Sequence, residues 1–213
     1  MPGLVDMPGV QLVAGLGNPG DKYLGTRHNA GFALVDALVA AFAGRFEPSR
    51  IHGGECWTGR FRGGSLALLK PMTFMNLSGQ CVAGVCRDRK VVPAGLLLVH
   101  DDMDIALGRL RFRRGGGSAG HNGVQSVIDE LGSDGFARLR VGIGREAAKG
   151  AMVDHVLSEF EGGEKELFAR VIDICAAAVK LCLSRGVEAA MNQYNGLDLA
   201  APPPAAAAEG PVD

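Results

Sequence analysis

The sequence predicts an α/β fold: a single-domain, three-layer sandwich in which a mixed, mostly parallel, twisted sheet is flanked by helices. Short apolar runs typical of buried strands alternate along the chain with segments in which apolar residues recur at helical spacing. The chain has 213 residues, of which 47% are hydrophobic. That length suits one domain with a substantial core and is too short for two ordinary domains.

The first half of the chain supplies two strands and two helices. Residues 10–14 form a short apolar run that leads into a glycine-rich turn, and residues 66–69 form a continuous apolar run typical of a central strand. Residues 29–43 are predicted to be an amphipathic helix with Asn29 as its N-cap. Its apolar stripe consists of Phe32, Val35, Leu38, Val39 and Phe42. A second helix is predicted over residues 78–89.

Three further strands are predicted in the second half. Residues 96–99 form a buried strand that is followed by three ionisable residues. In residues 108–114 apolar side chains alternate with arginines, which predicts a strand with one apolar and one cationic face. Residues 136–143 alternate in the same way, and we therefore predict a second strand of this kind.

Helices separate and follow these strands. The first of these helices is predicted from apolar residues at helical spacing, namely Val124, Val127, Ile128 and Leu131. It ends at Gly132, and glycine is typical of helix C-termini. A long helix is predicted over residues 164–185, before Gly186, and a shorter helix reaches Tyr194.

The predicted domain covers residues 10–196. Residues 1–9 form a short N-terminal extension that lacks the basic, apolar and small-residue order of a signal peptide. Residues 197–213 form an Ala/Pro-rich tail without periodicity, which predicts disorder. No apolar run reaches the length needed to span a bilayer, so we expect a cytosolic protein.

Composition argues against several classes of site. The formal net charge is −1 and the pI is about 6.5. These values argue against nonspecific coating of nucleic acid but leave room for a local basic patch. The cysteines are odd in number and lack CxxC spacing, which argues against a metal cluster or a disulfide framework. We expect buried free thiols at Cys56, Cys81, Cys86, Cys175 and Cys182.

Two glycine motifs match functional patterns but lack their context. Residues 15–20 match GxGxxG after a strand, but no helical stripe follows directly, and Asp36 lies inside a predicted helix and not at a strand end. Residues 116–120 match GxSxG, but a run of glycines separates Ser118 from a strand with a cationic face. We therefore disfavour a dinucleotide site and regard a serine hydrolase as a distant alternative.

Four short polar stretches are predicted on loops, where binding and catalytic residues concentrate. Together they supply a histidine, a carboxylate and several carboxamides, which predicts a small polar site with water as the reactant. The stretches are Thr26-Arg27-His28-Asn29-Ala30-Gly31, Pro71-Met72-Thr73-Phe74-Met75-Asn76-Leu77-Ser78-Gly79, His100-Asp101-Asp102 and Gly120-His121-Asn122-Gly123.

With Gly17-Asn18-Pro19-Gly20 and the run at residues 138–144, these stretches resemble, in order and spacing, the bacterial-type peptidyl-tRNA hydrolase family. The resemblance covers about residues 11–194. It implies cleavage of the ester that joins a peptide to the 3′ ribose of tRNA, which recycles tRNA from stalled or aborted translation. It further implies a cytosolic, generally monomeric enzyme that binds tRNA and needs no metal or other cofactor.

The resemblance carries catalytic and binding roles onto five positions. His28 would be the general base that takes a proton from the attacking water, and Asp101 would hold and polarise its imidazole. Asn18 would help to distinguish a blocked, peptide-bearing substrate from free aminoacyl-tRNA. Asn76 and Asn122 would supply further carboxamides to the peptide, the ester and the water.

The resemblance also implies a tRNA-binding surface. Tyr23 and Phe74 would lie near the terminal nucleotides, where aromatic faces stack on bases. Met75 would be a wall of the pocket. Four arginines would form a basic patch that grips phosphates, namely Arg111, Arg113, Arg138 and Arg140. The pair Ser118-Ala119 departs from the family pattern in a loop thought to gate the substrate channel.

Simpler interpretations and one alternative function stay open. We interpret His52, His121 and His155 as solvated loop residues, and Asp102 and Asp104 as solvated or turn-forming. A noncatalytic RNA-binding protein on the same fold, similar to a splicing factor, would keep many of the same residues.

Overall fold

A seven-stranded mixed sheet forms the centre of the computed structural model, which describes residues 9–145 and 152–201. The strands are β1 (Leu12–Gly15), β2 (Phe46–Ile51), β3 (Gly54–Phe61), β4 (Gly64–Pro71), β5 (Leu96–Asp102), β6 (Leu110–Arg114) and β7 (Ala137–Gly142). They lie in the order β2-β3-β4-β1-β5-β7-β6. The strands β4, β1, β5 and β7 are parallel, whereas β3 and β6 are antiparallel to their neighbours.

Helices cover both faces of this sheet. They are α1 (Ala30–Ala41), α2 (Ser78–Arg89), α3 (Asn122–Leu131), α4 (Met152–Leu157), α5 (Gly163–Arg185) and α6 (Val187–Tyr194). Alternate residues of each central strand face opposite layers, so Val13 packs with α1 and α5 while Leu12 and Ala14 pack with α2 and α3. Two separate apolar cores result, which confirms the predicted three-layer sandwich.

The predicted helices and central strands are confirmed, with small changes at their ends. The strand that was predicted over residues 66–69 is β4, and the strand over residues 96–99 continues to Asp102 as β5. Gly132 closes α3 in the left-handed conformation, with a φ of 60°. The hairpin of β2 and β3 and the short helix α4 were not predicted. β2 is mostly exposed and contains Pro48, so it has no alternating apolar pattern.

Two glycines allow α1 to approach β1 closely. A Cβ atom on Gly15 would lie 2.1 Å from the backbone oxygen of Gly31, and one on Gly31 would lie 2.3 Å from the backbone nitrogen of Leu16. Side chains at either position would push the helix off the sheet. Gly15 of the GxGxxG pattern is therefore needed for packing, and this contact holds the turn before α1 against the carboxyl ends of β1 and β5.

The C-terminal boundary differs from the expected one at residue 197. Asn195 accepts a hydrogen bond from the backbone nitrogen of Phe112 (2.7 Å) and donates one to its oxygen (3.0 Å). Further along, the backbone nitrogen of Leu199 donates to Gly108 (2.9 Å). β6 is an edge strand whose outer backbone groups need partners, and residues 195–199 supply them. Residues 1–8 and 202–213, which include most of both predicted terminal segments, lie outside the described residues.

The five cysteines are buried and free, as predicted. Burial raises the pKa of the Cys81 thiol to about 12, so this group stays protonated and unreactive at neutral pH. Among the described residues, no helix has both the length and the apolar character required to cross a bilayer.

Candidate active site

His28 and Asp101 meet at the carboxyl end of the sheet. His28 lies in a 3-10 turn over Arg27–Asn29, directly before α1, and Asp101 lies near the end of β5. The two side chains are 13% and 3% exposed, and His28 Nδ1 lies 2.9 Å from Asp101 Oδ1. β1 and β5 are parallel neighbours, so the residues that follow them share one edge of the sheet.

A second histidine binds the same carboxylate oxygen. His121 Nε2 lies 3.1 Å from Asp101 Oδ1. The Nδ1 atom of His121 accepts hydrogen bonds from the backbone nitrogens of Gly123 and Val124, and so caps the N-terminus of α3. Since Nδ1 is an acceptor, the ring proton resides on Nε2 and is donated to Asp101. The interpretation of His121 as a solvated loop residue is therefore wrong.

These contacts keep Asp101 ionised although it is buried. Burial alone would raise the pKa of the Asp101 carboxyl, but its electrostatic interactions and hydrogen bonds with His121 and His28 outweigh burial and lower the pKa well below its usual range. A carboxylate can only accept hydrogen bonds, so His28 donates from Nδ1. The Nε2 atom of His28 then carries a lone pair, and this tautomer can accept a proton from water.

A third histidine packs against this cluster. His100 is buried, donates from Nδ1 to the backbone oxygen of Asp101 (2.7 Å), and packs edge-on against the ring of His121. Its Nε2 is buried without a hydrogen-bond partner among the described residues. Burial, followed by the electrostatic interaction with His121, lowers the pKa of His100 from 6.5 to about 3. His100 is therefore neutral in the folded protein.

The buried His100 makes the fold sensitive to acid. Its pKa is lower in the folded chain than in the unfolded chain, so between about pH 6.5 and pH 3 the unfolded chain binds the extra proton. We expect the free energy of unfolding to decrease as the pH is lowered across this range. His100 contributes up to about 1.4 kcal/mol per pH unit to this decrease. Urea unfolding at pH 7 and pH 5 measures the difference in the free energy of unfolding. His100→Asn keeps a donor but cannot ionise, and an equal loss in both proteins would contradict the assignment.

Asn18 is fixed by a pair of hydrogen bonds from the neighbour of His28. Asn29 accepts from the backbone nitrogen of Asn18 (2.8 Å) and donates to its oxygen (3.0 Å). Asn29 precedes α1 as predicted, but its side chain does not cap the helix because it is used in this clamp. The Oδ1 atom of Asn18 accepts from the backbone nitrogen of Met75 (2.9 Å). Its Nδ2 donates to no other described residue and is available to a ligand.

The remaining predicted binding residues lie on separate turns. Asn76 is exposed in a 3-10 turn before α2, and Asn122 is exposed as the first residue of α3. Neither carboxamide forms a hydrogen bond with another described residue. Phe74 is 58% exposed, Tyr23 is half-buried, and Met75 is buried.

A cavity of about 280 Å³ opens beside the His28–Asp101 pair. Its lining is apolar at Met103 and at Met152, Val153 and Val156 of α4, and it also includes the loop at residues 118–122. Of the predicted site residues, the cavity is lined by His28, Asp101 and Asn122 and not by Asn18, Tyr23, Phe74, Met75 or Asn76.

The other polar groups at the cavity have internal partners. Ser118 donates to Gln125 Oε1 (2.7 Å), so its hydroxyl is not paired with a histidine, as a serine nucleophile would be. Asp102 accepts from Arg140 Nε (2.6 Å), and Asp104 pairs with Arg145.

His28, Asp101 and His121 form the group with metal-ligand chemistry in the described part of the chain, with ligand atoms within 4.8 Å of one another. Their mutual distances of 2.9 and 3.1 Å are those of hydrogen bonds. The Nε2 of His121 carries a proton, and zinc needs the lone pair of a neutral ring nitrogen at about 2.0–2.1 Å. The arrangement therefore suits proton transfer.

The four arginines of the predicted basic patch have different environments. Arg111 and Arg113 are exposed and form no ion pair with another described residue. Arg140 is half-buried and pairs with Asp102. Arg138 is only 3% exposed and donates to the backbone oxygens of Gly116 and Gly117. Its side chain is therefore not on the exposed surface, because the glycine loop at residues 116–117 accepts its hydrogen bonds.

The contribution of His121 can be separated from its capping role. Asn at position 121 can still cap α3, but it lacks the Nε2–H that binds Asp101. We expect His121→Asn to lower kcat by about tenfold, in line with the loss of one charge-assisted hydrogen bond, with little change in thermal stability. His121→Ala should also cost about 1 kcal/mol of stability through the lost cap. Equal kcat values for His121→Asn and wild type would show that the hydrogen bond from His121 to Asp101 does not contribute to catalysis.

Comparisons with known proteins identify a family for this chain. A sequence model of the family described as Peptidyl-tRNA hydrolase matches residues 12–202. The chain is 46% identical over 193 residues to a peptidyl-tRNA hydrolase of Synechococcus sp. strain JA-3-3Ab, covering 91% of this chain and 86% of that protein. It is 44% identical to that of Geotalea daltonii, covering 89% and 98%. A crystal structure of peptidyl-tRNA hydrolase from Acinetobacter baumannii superposes with a TM-score of 0.84 at 36% identity, covering 90% and 97%.

Proposed function

This chain belongs to the peptidyl-tRNA hydrolase family and hydrolyses the ester bond of peptidyl-tRNA, and we propose that His28 is the general base of that reaction. One observation carries the proposal. His28 donates from Nδ1 to a buried carboxylate at 2.9 Å, and its Nε2 lone pair is therefore free to accept a proton. His121 holds that carboxylate from its other side.

The proposed reaction proceeds in two proton-transfer steps. Water attacks the ester carbonyl carbon while Nε2 of His28 takes its proton, and the resulting imidazolium is stabilised by the negative charge of Asp101. The tetrahedral intermediate then expels the ribose oxygen, and the imidazolium returns the proton to that oxygen. The products are tRNA with a free terminal hydroxyl and a peptide carboxylic acid, which keeps the second proton of the water and then releases it to solvent to give the carboxylate. No group outside the chain, the substrate and water is required.

We assign the asparagines to substrate amides and oxygens. The free Nδ2 of Asn18 can donate to a peptide carbonyl, which a substrate with a free amino group in place of the first peptide bond would lack. Asn76 and Asn122 present carboxamides without internal partners, and Asn122 lines the cavity beside His28. A neutral carboxamide donates and accepts without adding charge next to the histidine.

We assign tRNA contacts to exposed groups near the site. Phe74 and Tyr23 offer aromatic faces on which terminal bases can stack. Arg111 and Arg113 lie on the exposed face of β6, and in the sheet register Arg111 pairs with Arg140 of β7. Arg140 shares its charge with Asp102, so Arg111 and Arg113 are the stronger phosphate ligands.

The two environments of Arg113 and Arg138 lead to different salt dependences. Arg113→Gln is expected to weaken tRNA binding and to reduce the slope of log Kd against log salt by about 1, because one phosphate contact is lost. Arg138→Gln is expected to leave that slope unchanged, because its guanidinium faces two backbone oxygens. Binding titrations with deacylated tRNA at several salt concentrations measure both slopes. A reduced slope in Arg138→Gln would show that Arg138 reaches phosphate.

The alternative of a noncatalytic RNA-binding protein is not favoured. The relatives reported above carry the name of the hydrolase, and this chain has both members of the His28–Asp101 pair in contact. We further propose that the protein acts in the cytoplasm, where translation supplies peptidyl-tRNA. We propose that a single copy is active, because every group assigned here comes from one chain.

Release of the blocked amino acid from N-acetylated aminoacyl-tRNA tests the function directly. The purified protein should cleave this substrate and leave unblocked aminoacyl-tRNA largely intact. An active site of the proposed kind should also be insensitive to serine-directed inhibitors and to Ser118→Ala. Tight tRNA binding without release of the blocked amino acid would favour the RNA-binding alternative.

A further inference from the structure

A buried arginine next to His28 takes no part in the chemistry described above. Arg27 precedes His28 in the 3-10 turn and is 6% exposed. Arginine is almost never fully buried unless it is paired. Its guanidinium contacts the segment that connects α4 to α5.

The guanidinium contacts two side chains of that connecting segment and one side chain of α5. Arg27 Nη2 lies 2.5 Å from a carboxylate oxygen of Glu164, in the first turn of α5. Arg27 Nε donates to the hydroxyl of Ser158 (3.2 Å), just after α4. The planar group also lies 4.5 Å from the centre of the Phe160 ring, which in turn stacks on Phe168 of α5.

Backbone contacts support the same junction. The backbone nitrogen of Arg27 donates to the oxygen of Ser158 (3.0 Å), and Thr26 forms an antiparallel bridge with Glu159. The hydroxyl of Ser158 donates in turn to the backbone oxygen of His155, in the last turn of α4 (2.7 Å). An unbroken series of hydrogen bonds therefore runs from Arg27 to the end of α4.

Both ends of this series adjoin residues that line the cavity. His28 follows Arg27 directly in the chain, and Met152, Val153 and Val156 belong to α4. His28 is also held by Asp101, and Asn29 is clamped to Asn18, so the catalytic turn has supports that do not involve Arg27. α4 has only six residues and depends on its packing for its position.

We propose that Arg27 is a positioning residue that holds α4 at a fixed distance from His28 and thereby shapes the pocket for the peptide part of the substrate. This inference rests on the proposed function. A loss of the Arg27 contacts would move the α4 wall while the His28–Asp101 pair stays in place. Substrate binding would weaken more than the chemical step.

Glu164 makes the junction sensitive to small changes. Burial alone would raise the pKa of its carboxyl, but the hydrogen bond from Arg27 outweighs it and lowers the pKa. Without this charge, Arg27 would be a buried cation with no acidic partner among the described residues, which is strongly destabilising for its position. Even in the unaltered protein, Arg27 Nη1 has no hydrogen-bond partner among the described residues. A lysine could keep the ion pair but not the planar contacts to Ser158 and Phe160.

The test uses Arg27→Lys and Glu164→Gln in the full chain, with Glu166→Gln as the matched control. Glu166 lies in the same turn of α5, is exposed and forms no ion pair with another described residue, so the control makes the same change of charge. On N-acetylated aminoacyl-tRNA we expect KM to rise about tenfold in both variants with kcat changed by no more than about twofold, and no change in the control. Hydrogen exchange at the amides of Met152–Leu157 should accelerate in the same two variants.

A merely structural role for Arg27 predicts a different result. A smaller folded fraction would lower the apparent kcat and leave KM unchanged. That pattern, or unchanged KM and unchanged exchange in Glu164→Gln, would overturn the inference. Hydrogen exchange does not need turnover, so it decides the Arg27 inference even if the wild-type protein fails to cleave the substrate. A wild-type protein without activity would refute the proposed function instead.

Discussion

His28→Ala is expected to lower kcat on N-acetylated aminoacyl-tRNA by about 10²–10⁴-fold, the usual contribution of positioned acid–base catalysis. The variant removes a ring nitrogen that is free of an internal hydrogen bond and belongs to a partly exposed side chain beside the cavity. Nε2 of His121 is already a donor to Asp101. Nε2 of His100 has no hydrogen-bond partner among the described residues, but burial lowers the pKa of His100 to about 3, so it is too weak a base to take over the role of His28.

Two controls make this result specific to the chemistry. The dissociation constant for deacylated tRNA should be unchanged in His28→Ala, because the arginines and aromatic residues assigned to tRNA are untouched. His52→Asn should keep full activity, since His52 pairs with Asp88 on the surface and its left-handed backbone, with a φ of 49°, accommodates asparagine. Undiminished turnover in His28→Ala would refute the assignment of the base.

Asp101→Asn is expected to lower kcat by about 10²–10⁴-fold as well, for a different reason. Both histidines bind the same atom, Oδ1 of Asp101, at 2.9 and 3.1 Å. An asparagine can place its amide oxygen there and accept both hydrogen bonds, so the two ring orientations can be retained. The negative charge is lost, and the imidazolium that forms at His28 is no longer stabilised.

Single-turnover rates of wild type, Asp101→Asn and the control Asp88→Asn measure the effect of this charge. A loss of less than about threefold in Asp101→Asn would mean that orientation alone, and not charge, is what Asp101 contributes. A crystal structure or NMR spectrum that shows the His28 and His121 rings in place is needed with this comparison, because an amide that turns its nitrogen toward His28 would force the wrong tautomer.

The pairing of His28 with Asp101 was predicted from the family resemblance, and the positions of the strands are consistent with it. Apolar runs identified the buried strands, and the carboxyl ends of neighbouring parallel strands share one edge of a sheet. Family resemblance supplied the roles of the two residues. The helices were predicted well because α1, α3 and α5 have clear apolar stripes or terminal glycines.

The parts that were missed depend on contacts between elements that are far apart in sequence. His121 was assigned to solvent, although its place directly before α3 is a cap position that could have drawn attention to it; its contact with Asp101 depends on how α3 packs beside β5. The alternation in β7 placed Arg138 on the correct face, but the loop that buries it was not visible in that pattern. The burial of Arg27 likewise depends on a segment 131 residues away.

The covered outer edge of β6 has a practical consequence for handling the protein. An open edge strand invites pairing with another chain and so promotes aggregation. Asn195 and Leu199 occupy the backbone groups of Phe112 and Gly108 that a second molecule would use. A truncation before Asn195 should therefore reduce solubility at high concentration, and purification tags at this end belong after Ala201.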